Sequence, residues 1–187
     1  MAKQKPKKMK KGAPLMSLHD LFIVKLCELY DVETMITKAI PKMVKSAENE
    51  DLQQLLEEHL EETEVQIERL DEVFEKLGEP VKSKKSASIK GMITDAEVMM
   101  KMKGEPTVKD AAIIAAAQAV EHYEIACYGT VVTWAELMEH DEVAELLEET
   151  LNEEKMADEK LTALAEDIIN AEAMGEDDTE EEEGEGE

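Results

Sequence analysis

Aromatic residues are scarce: the 187-residue chain has two Phe, three Tyr and one Trp. Its core must therefore be assembled from aliphatic side chains, alanine and methionine. Five prolines and eight glycines are too few for a fold of many short strands and turns. The remaining composition, dominated by Ala, Leu, Met, Glu and Lys, is that of a helix former. The two cysteines, Cys27 and Cys127, lie far apart in apolar helical stretches and read as buried free thiols rather than a disulfide framework. No apolar run approaches 18 residues, and charged residues recur every few positions after the lysine-rich start. Neither a membrane span nor a signal peptide is expected, and the reading is of a soluble, cytoplasmic protein.

Charge is abundant but one-sided. The formal net charge is −25, with 46 acids against 21 Lys plus Arg, and Arg69 is the single arginine. Six lysines fall within the first 12 residues and nine acids within the last 12. Residues 1–14 and 174–187 are accordingly expected to be disordered tails, leaving 15–173 as one domain. An acidic body repels nucleic acid and anionic membranes and concentrates cations. Only the basic leader offers a polyanion a hold, and without arginine or aromatics that hold is weak; a solubilising role is the simpler reading.

Apolar positions recur at helical spacing over 15–45, 50–77, 108–138 and 141–173. Pro14 suits a helix start, Pro41 should kink or tighten the end of the first helix, and Gly78 with Pro80 should stop the second. Between residues 79 and 106 a weaker helical period, through Ile89, Met92, Ile93, Ala96 and Met99, indicates a shorter helix. Short loop, long crossover and short loop is the connectivity of an all-α, ferritin-like antiparallel four-helix bundle. The segment LLEEHLEETEVQIERL, starting at Leu55, superposes without gaps on LLEETLNEEKMADEKL, starting at Leu146, at an offset of 91. The same offset places Glu33 on Glu124 and Glu62 on Glu153, so the two halves look duplicated.

Each helix carries polarity at its middle. The apolar line Phe22, Leu26, Leu29, Glu33, Ile36, Ile40, Met43 is broken only by Glu33. A carboxylate so placed must be protonated, ion-paired or bound to metal. In the second helix Leu52, Leu56, His59, Thr63, Gln66, Leu70 is polar over about two turns, with Glu62 at its border; His59 reads either as a ligand or as a core histidine bonded to Gln66 or a carbonyl. The third helix brings Glu121 and Glu124 with Tyr128 one turn on, and the fourth brings Glu153 or Glu154. With one arginine and mostly outward lysines, a hard or borderline divalent cation fits the need for positive charge, iron first and manganese second. Tyr128, or Tyr123 near it, could hydrogen-bond a ligand. The other glutamates of the second and fourth helices read as solvated faces, and the 12 methionines as core filler.

These segments, LHDLFIVKLCELYDVETMITKAIPKM, EEHLEETEVQIERL, AAAQAVEHYEIACYGT and LLEETLNEEKMADEKL, resemble the YciE/YciF family of bacterial ferritin-like proteins over residues 18–165. The resemblance implies a rubrerythrin-like bundle, a homodimer and a part in stress responses. It makes Glu33, His59, Glu62, Glu121, Glu124 and Glu153 candidate metal ligands. One departure stands out: no histidine follows a glutamate at i+3, and the second helix instead has His59-x-x-Glu62. Glu154 or Asp158 are substitutes for Glu153 in the fourth helix.

Three functions follow in order. The first is a di-iron oxidoreductase of ferroxidase or peroxidase type, with two iron ions reacting with dioxygen or peroxide. The second is a non-catalytic stress protein in which metal or a protonated carboxylate network is structural. The third is association with DNA through the lysine leader.

Overall fold

The computed structural model describes residues 14–175 and the backbone of Lys7–Lys8. The acidic tail and most of the lysine leader lie outside the described residues. Helix α1 (Leu18–Val44) starts where Ser17 accepts the Asp20 N–H on its hydroxyl while Asp20 accepts the Met16 N–H. This reciprocal cap satisfies donors that the first turn would otherwise leave open. Pro41 lies inside the last turn, and the helix continues through it to Val44. Helix α2 (Glu50–Lys76) is capped by Asn49 and followed by Gly78 at φ +66°, a conformation glycine adopts without a Cβ clash. Helix α3 (Ala87–Met100) lies in the crossover, and α4 (Pro106–Leu137) opens on the proline that tolerates a missing N–H. Glu139, at φ 60°, turns the chain into α5 (Asp141–Leu164).

Helix α1 packs on α2 and α4, and α5 packs on the same two, so the four close a square with α3 outside against α1 and α4. Lys76, ending α2, pairs with Glu142 near the start of α5 at 2.7 Å. His19, opening α1, meets His140 at the α4–α5 turn, ring centroids 6.3 Å apart. Neighbouring helices therefore run antiparallel, and the crossover joins the diagonal pair α2 and α4, as a ferritin-like bundle requires. At the other end the buried Asp110 of α4 accepts the N–H groups of Glu48 and Asn49, at 3.0 and 2.9 Å. Its charge sits where the α2 dipole favours an anion.

The offset of 91 aligns buried with buried positions: Phe22 with Ile113, Leu52 with Val143, Leu56 with Leu147 and Leu70 with Leu161. The fourth long helix is not continuous to residue 173. Five residues of π-helix, Ala165–Ile169, interrupt it before a last turn, Asn170–Met174. The wider turn takes up one extra residue, so Ile169 is fully buried in the phase a regular helix would give Ile168. Lys7–Lys8 pair in parallel with Lys82–Ser83, a two-residue ladder beside α1.

The apolar core is split. One cluster, around Phe22, Leu26, Phe74, Val131 and Leu147, fills one end, and another, around Ile36, Ile40, Leu56, Ile114 and Leu161, fills the other. The space between them is the polar belt.

Candidate metal centre

Steps of three and four residues keep one face of each helix inward. At mid-height those steps land on Glu33 in α1, on His59, Thr63 and Gln66 in α2, on Glu121, Glu124 and Tyr128 in α4, and on Thr150 and Glu154 in α5. All are buried, Glu33, Glu124 and Glu154 completely.

His59, Glu121, Glu124 and Glu154 converge, each offering one ligand atom within 4.8 Å of the others. His59 Nε2 lies 3.4 Å from Glu121 Oε1. On its far side Nδ1 is 3.8 Å from Glu62 Oε2, too long for a hydrogen bond but close enough to feel the charge. Burial disfavours the charged imidazole, yet the Glu62, Glu154 and Glu33 carboxylates outweigh it and hold His59 above the ordinary histidine range. Burial pushes Glu33 up to about 7, against the lowering effect of the Tyr128 hydroxyl, and Glu121 up to about 8. Glu124 and Glu154 are driven well above the carboxylate range, by burial first and by the neighbouring acids second.

Among the described residues, every buried side-chain nitrogen or oxygen without a hydrogen-bond partner belongs to this belt. The atoms are both nitrogens of His59, both oxygens of Glu124 and Glu154, and one oxygen each of Glu33, Gln66 and Glu121. Orphaned polar atoms cost free energy that a bound cation removes. Three carboxylates with one imidazole and no sulfur suit iron, manganese or zinc rather than copper(I). The residues present therefore fit a divalent ion.

The other sequence candidates are distributed around this group. Glu33 lies beside it in α1 and accepts a hydrogen bond from the Tyr128 hydroxyl. Glu62 stands at the rim, half-exposed, between His59 and Lys160, whose Nζ is 3.9 Å away. Glu153 turns toward α2, where Arg69 binds both its oxygens at 2.8 Å and Gln66 Nε2 donates to it at 3.1 Å. Asp158 accepts from Gln118, and Tyr123 pairs with Ser86. Glu154, an alternative in the sequence, is the α5 acid inside the cluster. The repeat held the signal: Glu154 stands opposite Thr63, which lies on the inward line of α2, whereas Glu153 stands opposite the rim residue Glu62. Arg69 was the one residue whose place in the belt went unread, since two turns of separation hid its reach across to α5.

Two clefts reach the cluster. One, narrow, is bounded by Ile36, Ile40, Met43, Ile93, Met100 and Ala117 and includes His59 and Glu121 in its lining. The other opens between α2 and α5 beside Glu62 and Lys160 and meets the same two residues. Among the described residues, no helix is long and apolar enough to cross a membrane.

The family model described as a domain of unknown function, DUF892, matches residues 17–174. Protein YciF of Escherichia coli K12 is 43% identical over 120 residues, covering 64% of this chain and 72% of that protein. The crystal structure of the E. coli stress protein YciF superposes with a TM-score of 0.81, covering 83% of this chain and 99% of that one. YcfI of Rhodopseudomonas palustris, provisionally described as structural, is 49% identical with a TM-score of 0.76, over 79% and 94% of the two chains. A matching family model over nearly all the described residues, with two structures alike in sequence and fold, establishes that the chain belongs to the DUF892 family and is a relative of YciF.

Proposed function

We propose that this is a metal-binding stress protein whose bundle interior holds iron, or failing that manganese, and uses it as an oxidoreductase toward dioxygen or peroxide. The observation that carries the reading is the convergence of His59, Glu121, Glu124 and Glu154 between two apolar clusters, all four buried, with both His59 nitrogens, both oxygens of Glu124 and Glu154 and one oxygen of Glu121 lacking a hydrogen-bond partner. Bound iron supplies one-electron exchange with the oxidant. The protein's part is to hold four donors in place, to exclude bulk water by the two apolar ends, and to keep the imidazole beside the Glu62 charge. Tyr128 fixes Glu33 beside the cluster. The apolar cleft admits a small uncharged oxidant, and the cleft at Glu62 admits a cation. The role in stress and the expected homodimer come with kinship to YciF, which is named a stress protein.

The test is elemental analysis of protein purified without chelator, followed by Fe(II) loading under peroxide. Bound iron with consumption of peroxide, both lost in His59→Ala, is the expected result. Metal-free protein that also refuses added Fe(II) overturns the proposal. A second reading has its own support, because burial raises the pKa of the belt's carboxyls and so favours their neutral form without an ion. On that reading the belt is structural, and chelators leave the melting temperature unchanged.

A further inference from the structure

We infer that the centre holds one divalent ion per chain, not the two expected from the sequence, and that the internal duplication copied the scaffold but not the second binding position. The inference rests on the metal-binding reading above and concerns how many ions it involves. Moving each clustered donor by 91 residues gives its counterpart: His59 becomes Thr150, Glu121 becomes Tyr30, Glu124 becomes Glu33 and Glu154 becomes Thr63. All four counterparts are buried, so the position exists in the fold. Only Glu33 keeps a ligand side chain of the kind the first position uses.

The counterparts are also engaged elsewhere. Thr63 donates to the His59 carbonyl at 2.7 Å, and Thr150 accepts from Arg69 Nη1 at 2.7 Å. Glu33 takes the Tyr128 hydroxyl. Arg69 brings a fixed positive charge, mostly buried, onto the residue that mirrors His59, and a divalent cation there is repelled. The corresponding base in the other half, Lys160, remains 40% exposed and 3.9 Å from Glu58 and Glu62, at the rim rather than inside. The free oxygens of Glu33 and Gln66 are one carboxylate and one neutral amide, too few for a hard divalent ion, which seeks four or more oxygen or nitrogen donors.

Mn(II) titration of the full-length metal-free protein, read by elemental stoichiometry and electron paramagnetic resonance, decides it. One ion per chain with the spectrum of an isolated Mn(II) is expected. Glu154→Gln should lose that ion, and Glu33→Gln should retain it within about threefold in affinity. Two ions with a spin-coupled spectrum in the wild type, or equal loss in Glu33→Gln and Glu154→Gln, overturns the single-ion inference while leaving metal binding intact. No binding of Mn(II) or Fe(II) by the wild type overturns the metal-binding reading itself, and the inference with it.

Discussion

The hairpin of α1 and α2 and the hairpin of α4 and α5 are built on one pattern, yet the acids and bases between them are divided unequally. Both keep aliphatic residues at matched buried positions, and both send a base across the bundle to two acids of the other hairpin: Arg69 to Glu149 and Glu153, and Lys160 to Glu58 and Glu62. The bridges occupy corresponding positions, but their depth differs. Arg69 is mostly buried and bidentate, at 2.8 Å, whereas Lys160 is half in water at 3.9 Å. On one side of the belt a guanidinium reaches in to compensate the acids; on the other the base stays at the rim. A repeated scaffold can thus carry an unequal polar belt, because packing depends on volume and chemistry depends on identity.

The largest break in this comparison comes from the donors. His59→Ala should lower affinity for a divalent ion more than about 100-fold, beyond the range typical of outer-sphere partners. Its counterpart Thr150→Ala should leave affinity within a fewfold, both measured by competition with a chelating dye. Next is pH. Glu33 at about 7 and Glu121 at about 8, with Glu124 and Glu154 also raised by burial, hold protons in the folded chain that the unfolded chain releases near 4.5. The native state therefore binds more protons across that window, and metal-free stability should fall as pH rises from about 5 to 8. The raised His59 acts in the same direction, its contribution lost as pH climbs past its folded value. Melting curves with chelator should show the decline, and a saturating divalent ion should flatten it; a chelated protein equally stable at both ends would contradict the buried, proton-bearing belt.

Arg69→Ala should cost about 2–4 kcal/mol in urea denaturation, since it strands the partly buried Glu153 and leaves Thr150 without its donor. Glu62→Gln should weaken metal binding by less than about 10-fold without unfolding the bundle, since at 3.8 Å its carboxylate acts on His59 through charge and not through a hydrogen bond. The smallest effect belongs to Lys160→Ala, less than about 1 kcal/mol, because an exposed pair at 3.9 Å is screened by solvent. A cost for Lys160 equal to that for Arg69 would erase the asymmetry.

Much of the fold was legible. Period and terminators placed the four helices to within a few residues, because a stripe of Leu, Ile and Val with Gly78 beyond it admits few other structures. The π-helical turn was not, since the sequence AEDII carries no mark distinguishing one wide turn from a regular one. Within the site, Glu33 was visible as the only polar point on an apolar line. Glu153 and Glu154 were harder to separate, since adjacent residues on a helix differ by about 100° and either fits a step of three or four from Thr150. The choice depends on where Arg69 reaches, a contact across 84 residues that periodicity along one helix cannot register.

Asp110 receives two backbone N–H groups from the connection between α1 and α2 while standing on α4. It thereby bolts the first hairpin's loop to the second hairpin's opening turn, so neither can fray there alone without orphaning a buried carboxylate. Despite its repeated pattern, the bundle should melt as a single cooperative unit, with one calorimetric peak where two independent hairpins would give a pair.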